Sequence, residues 1–129
     1  MKRGAITIEP NRITVALSAE GTVRMTVEEI ASIFHVTAAR IERHIKKIFA
    51  EHELDEDEVR TEEVKMHGGK RYLAEYYNLD MIIALSFRID SYPSKAFRQW
   101  IGEQIVRSLK TKPITPIILQ IRTHAGGVN

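Results

Sequence analysis

The sequence predicts a small α+β domain, and three observations carry that prediction. Pairs of β-prone runs flank turn-forming residues at two places, Ile6-Thr7-Ile8 with Ile13 to Leu17, and Val64 to His67 with Lys70 to Tyr77. Apolar residues recur at helical spacing between those two hairpins and again after the second. With 129 residues, 43% hydrophobic content and only 7 glycines and 4 prolines, the chain suits one core rather than disorder or a repeat array.

Taken in order, the first hairpin spans residues 5–17, with Glu9-Pro10-Asn11-Arg12 as its turn, and its role is structural. The next segment, 26–50, reads as two short helices joined tightly. Thr26 caps the first, whose opening turn carries Glu28 and Glu29 near the positive helix end, and Ile30, Ile33 and Phe34 supply its buried face. After Phe34-His35-Val36, Thr37 caps the second. There Ile41, Ile45, Ile48 and Phe49 fall at i, i+4, i+7 and i+8, while Arg40, Arg43, Lys46 and Lys47 project away from that stripe.

A helix with a cationic outer face fits the DNA major groove, where lysine and arginine neutralise phosphates or donate to base edges. This is the layout of a helix-turn-helix, with Thr37, Ala38 and Ala39 small enough to let the helix start approach a duplex. Thr37, Ala38, Ala39, Arg40, Arg43, Lys46 and Lys47 are therefore the candidate DNA contacts. A solvated amphipathic helical pair would carry the same stripe, and the turn holds His35 where such motifs often hold glycine.

The net charge of +2 conceals a segregation. Eight of the 17 acids lie between Glu51 and Glu63 with Arg60 as the one base there, which leaves nine acids against eighteen bases elsewhere. The acidic segment reads as a solvated connection held away from any polyanion. A second hairpin follows at 63–77, turned by Gly68-Gly69, and a basic hairpin tip after a recognition helix is what a winged helix requires. Lys70 and Arg71 join the candidate DNA contacts on that reading; on the alternative, the glycines close a plain structural turn.

Helices occupy 78–110. Asn78 caps one through Leu79, Met81, Ile82, Ile83, Leu85 and Phe87, apolar on most sides and so assigned to the core. A break at Ser91-Tyr92-Pro93-Ser94 leads to a final helix from about Pro93 to Lys110, with Phe97, Trp100, Ile101, Ile105 and Leu109 as its stripe. The organisation is thus a winged helix-turn-helix-like domain over 1–112 and a C-terminal tail over 113–129, in which Ile117 to Ile121 adds a strand or a docking segment.

Other classes find no support. The chain has no cysteine, no apolar run near the ~20 residues that span a bilayer, and no signal-peptide core in MKRGAITIEP, so a cytoplasmic protein with no membrane contact is expected. The five histidines match no zinc-ligand spacing, and no phosphate-binding glycine loop or nucleophile elbow occurs. No metal, no cofactor and no enzymatic activity are expected.

The blocks TVEEIASIF, IERHIKKIFAEHELDEDEV, GKRYLAEYYNLDMIIALSFRIDS and KAFRQWIGEQIVRSL closely resemble the N-terminal region of the RhuM family, bacterial proteins labelled virulence-associated and often carried on mobile elements. The resemblance covers roughly residues 21–110; YYNLDMI at 76–82 and FRQW at 97–100 are its most specific pieces. The latter half also resembles the amino-terminal domains of phage antirepressors. These resemblances imply a DNA-binding or transcription-regulating protein. A single helix reads only a few base pairs, so a homodimer over a palindromic site on double-stranded DNA is expected to supply the remaining specificity. The competing expectation is an antirepressor-like protein-interaction module whose partner is another regulator. Family members are usually longer, and the segment from Thr111 onward does not match them.

Overall fold

The computed structural model describes residues 2–111, and within them the protein is an α+β domain of five helices and two small antiparallel sheets. Strands β1 (Ala5–Glu9) and β2 (Arg12–Ala16) form the first sheet, with Ile6 opposite Val15 and Ile8 opposite Ile13. Because side chains alternate along a strand, those four share one face, and that face packs on the core.

Strand β3 (Arg24–Met25) leads directly into α1 (Val27–Phe34) and α2 (Ala38–Ala50). A short helix α3 (Glu56–Val59) then precedes β4 (Arg60–His67) and β5 (Lys70–Asn78), and α4 (Leu79–Ser86) and α5 (Tyr92–Thr111) complete the described chain. The second sheet has the order β3-β5-β4, all antiparallel. Neither β3 nor α3 has a sequence signature: two residues are too few for an alternating pattern, and α3 lies in the run of acids. Asp55 caps α3 by accepting from the Asp57 N–H at 3.0 Å.

The start of α1 is fixed by a reciprocal cap. The Thr26 hydroxyl accepts from the Glu29 N–H at 3.2 Å, and the Glu29 carboxylate accepts from the Thr26 N–H at 2.9 Å. Ile30 and Phe34 enter the core from α1, Ile41, Ile45 and Ile48 from α2, and Met81, Ile82 and Leu85 from α4. Phe34 meets Phe97 of α5 edge-on at 5.8 Å between ring centres, and Trp100 stacks on Phe97 at 6.0 Å.

Three boundaries differ from the sequence reading. The second hairpin begins at Arg60 instead of residue 63, because the polar run Arg60-Thr61-Glu62-Glu63 pairs with Tyr77 to Ala74 of β5 and is carried into the sheet by its partner. Phe87 is not core: it closes α4 as its C-cap and is 65% exposed, since the helix ends before another turn can bring it round. The stripe of α5 splits, with Phe97 buried, Trp100 and Ile101 half-buried, and Ile105 and Leu109 exposed. A 20-residue helix is roughly 30 Å long and here outruns the core it packs on. Among the described residues no helix is long and apolar enough to cross a membrane. The tail, with the Ile117 to Ile121 run, lies outside the described residues.

Candidate functional site

The turn between α1 and α2 sets the site. His35 adopts the left-handed conformation, φ 56°, while its N–H donates to the Ser32 carbonyl at 3.4 Å and the Val36 N–H donates back to Ala31 at 3.1 Å. This closes α1 in the manner glycine usually permits, at a backbone cost on the order of 1 kcal/mol for a residue with a Cβ. Thr37 then returns to extended backbone, and its hydroxyl accepts from the Arg40 N–H at 3.2 Å to start α2.

With Ile41, Ile45 and Ile48 committed to the core, helical geometry turns Arg43, Lys46, Lys47 and Ala39 outward, and all four are exposed. Arg40 is half-buried on the flank, and Thr37 is exposed at the helix start. Ala38 is placed differently from its neighbours: it is half-buried and packs against the core. Of the four cations, Arg40, Arg43 and Lys47 lie at i, i+3 and i+7 and form one row along the helix. Lys46 falls on the other flank, where it borders a cleft of about 210 Å³ with Glu42, Val27, Ile45 and, from β5, Glu75 and Tyr77.

Among the described residues some cations are paired with carboxylates and others are not. Arg3 pairs with Glu29 at 2.5 Å, Arg24 with Glu20 at 2.7 Å, Arg60 with Glu62 and Glu75 at 2.7 and 2.8 Å, and Arg88 with Glu51 and Glu53 at 2.6 and 2.8 Å. These carboxylates hold Arg60 and Arg88 still more firmly in the charged state, above all by accepting hydrogen bonds at Glu75 and at Glu53 respectively. Among the described residues, Arg40, Arg43, Lys46, Lys47, Lys70 and Arg71 form no salt bridge. The acidic segment is therefore partly neutralised by Arg60 and Arg88.

The second hairpin is tied to α2 at its base and free at its tip. Tyr77 is buried and its ring lies 6.5 Å from that of Phe49 on α2, so the sheet is packed onto the helix there. His67 pairs with Lys70 across Gly68 and Gly69, whose φ values of 58° and 78° are the pair that a tight two-residue turn demands. Lys70 and Arg71 are exposed, and Arg71 lies six residues from Tyr77, roughly 20 Å out along the strand. The outer half of this hairpin also exposes Val64, Met66, Tyr72 and Leu73.

One residue near the row escaped the sequence reading as a contact. His44 sits at i+4 from Arg40 and i−3 from Lys47; it is half-buried, and its Nδ1 is enclosed without a hydrogen-bond partner. Burial holds its pKa below the usual imidazole range, and Arg40, Arg43, Arg88 and Lys47 push it the same way. Its helical spacing from the cations was visible in the sequence, whereas Arg88, arriving from beyond α4, was not. Among the described residues no group of three or more His, Cys, Asp or Glu is arranged to hold a metal ion. No protein-family model, curated protein or solved structure matches this chain.

Proposed function

We propose that this is a DNA-binding protein, a transcription regulator of the mobile-element or virulence-associated type that RhuM-like sequences suggest, working in the cytoplasm. The observation that carries this reading is the row Arg40, Arg43 and Lys47: three cations without carboxylate partners, on the outer face of a helix whose inner face is locked into the core. A winged-helix reading of the fold is supported by the strand order β3-β5-β4 and by a hairpin that follows α2 after the short helix α3 and exposes Lys70 and Arg71 near its tip.

In this reading α2 enters the major groove, Arg43 faces the bases, and Arg40 and Lys47 meet the backbone. The test is selection of bound sequences from random duplex DNA at physiological salt, followed by alanine at Arg40, Arg43 and Lys47 together. The triple variant keeps the wild-type melting temperature, because none of the three belongs to the core, and loses affinity by about 100-fold or more with a shallower salt dependence. Unchanged affinity in a folded variant overturns the assignment.

A second reading is favoured by a different observation. Ile105, Val106 and Leu109 are exposed on the outer half of α5 and offer an apolar surface for another protein, either a regulator or a second copy of this chain on a palindromic site. Salt separates the readings, since phosphate binding falls steeply as salt rises and apolar association does not.

A further inference from the structure

Resting on the DNA-binding reading, we infer that His44 is a proton-linked phosphate contact: a backbone phosphate of duplex DNA seats against Arg40, His44 and Lys47, and the imidazole takes up a proton as it does so. The geometry comes first. Arg40, His44 and Lys47 fall at i, i+4 and i+7, a stripe on the flank of α2 between its buried isoleucines and the outward Arg43. Phosphates run along the flanks of a helix lying in the major groove, while base edges lie beneath its outer face. The flank is where a backbone contact belongs.

The chemistry of the imidazole follows from its neighbours. From α2 it is faced by Arg40, Arg43 and Lys47, and from the turn after α4 by Arg88, itself held by Glu51 and Glu53. Burial first, and then these four cations, push the ring's pKa below the usual imidazole range and so favour its neutral form in the free protein. With Nδ1 enclosed and unpartnered, Nε2 is the nitrogen left to meet a ligand. A phosphate there reverses the local field: it offsets the surrounding positive charge and accepts a charge-assisted hydrogen bond from the protonated Nε2–H. The neutral ring carries its proton on Nδ1, and a proton from solvent adds to the Nε2 lone pair to form the N–H that the phosphate accepts from; no other covalent bond changes.

The sign is then fixed. If the pKa is higher in the complex than in the free protein, binding consumes a proton, and affinity rises as pH falls between the two values. One linked proton gives a slope of at most about tenfold per pH unit. Among the described residues His35 in the turn, His52 after α2 and His67 at the hairpin tip are exposed and lie outside this stripe; His35 and His52, away from the tip, serve as controls.

The experiment uses a labelled random-sequence duplex of roughly 20 base pairs, enough for two helical turns. Affinity is followed by anisotropy at constant ionic strength from about pH 8 to about pH 6, a window that spans the ordinary histidine range. The wild type is expected to tighten by about three- to tenfold across that range. His44→Gln binds with an affinity that stays flat across the window, while His35→Gln and His52→Gln keep the wild-type slope. Proton NMR of the His44 ring in the wild type, with and without duplex, gives the same answer independently of any variant: its pKa rises on binding. A wild type that binds with no pH dependence, a slope that survives in His44→Gln, or a ring whose pKa does not rise overturns the inference and leaves the DNA reading standing. A wild type that binds no duplex at low salt overturns both.

Discussion

The two hairpins are built alike and used differently. Each is an antiparallel pair closed by a short turn, yet β1–β2 lies along the core with Ile6, Ile8, Ile13 and Val15 turned inward, whereas β4–β5 is packed only through its base. Tyr76 and Tyr77 bury that base; beyond it Val64, Met66, Tyr72 and Leu73 stand in solvent, and the tip carries Lys70 and Arg71. A hairpin that leaves four large apolar side chains exposed is not placed there to stabilise the domain, because the burial that would repay their exposure is missing.

Stability should register that contrast most strongly. Ile6→Ala removes a buried side chain and is expected to cost about 2–4 kcal/mol in urea denaturation. Leu73→Ala, at a position 53% exposed, should stay within about 0.5 kcal/mol of the wild type. A loss at Leu73 comparable to that at Ile6 would mean that the outer hairpin is buried in solution and would end the comparison.

Binding should show the opposite asymmetry. Neutralising Lys70 and Arg71 together should weaken a selected site and a scrambled duplex alike by about tenfold, roughly 1.4 kcal/mol, with a shallower salt slope. The argument is that a tip roughly 20 Å from its anchor reaches the backbone but is poorly fixed for reading base edges. Loss confined to the selected site would sharpen the picture by making the tip a base reader, and no loss on either duplex would leave Gly68-Gly69 as a structural turn.

The smallest effect concerns the anchor of the first hairpin. Arg3, just before β1, hydrogen-bonds both Glu29 and the Arg24 carbonyl, tying that end of the chain to α1 and β3. Burial alone would raise the Glu29 pKa, but the Arg3 guanidinium and the Thr26 N–H outweigh it and hold the carboxyl below its usual range. A depressed folded-state pKa means that this contribution is fully present above the ordinary glutamate value and is lost as pH falls through the lowered one. Both side chains are a third or more exposed, so solvent screening limits it to about 1 kcal/mol or less. Glu29→Gln should therefore melt closer to the wild type in acid than at neutral pH; an equal gap at both would remove the ion pair from the account.

Much of the fold was legible in the chain because it is encoded locally. Thr26 with Glu29, Thr37 and Asn78 are caps that need only their own first turn, and the structure uses all three. The stripe Ile41, Ile45, Ile48 and the Gly68-Gly69 turn follow from backbone geometry alone, so the outward direction of Arg43, Lys46 and Lys47 followed too. His35 was legible as the turn residue standing where glycine is usual, while its left-handed φ of 56° came from the structure.

What the sequence could not decide is which charges and apolar surfaces find partners across long separations. Arg88 looks as available as Arg40 or Arg43 until folding brings Glu51 and Glu53 to it, and Arg60, already among local acids, gains Glu75 only from β5. Two residues, Arg24 and Met25, become a strand only because β5 passes beside them, and Ile105 and Leu109 stay exposed only because α5 runs on past the core. The enclosure of His44 among cations from α2 and the turn after α4 is of the same kind. Periodicity and capping are properties of a few consecutive residues, so the chain determined them by itself; neutralisation, desolvation and exposure depend on proximity between distant segments, and only the tertiary structure decided them.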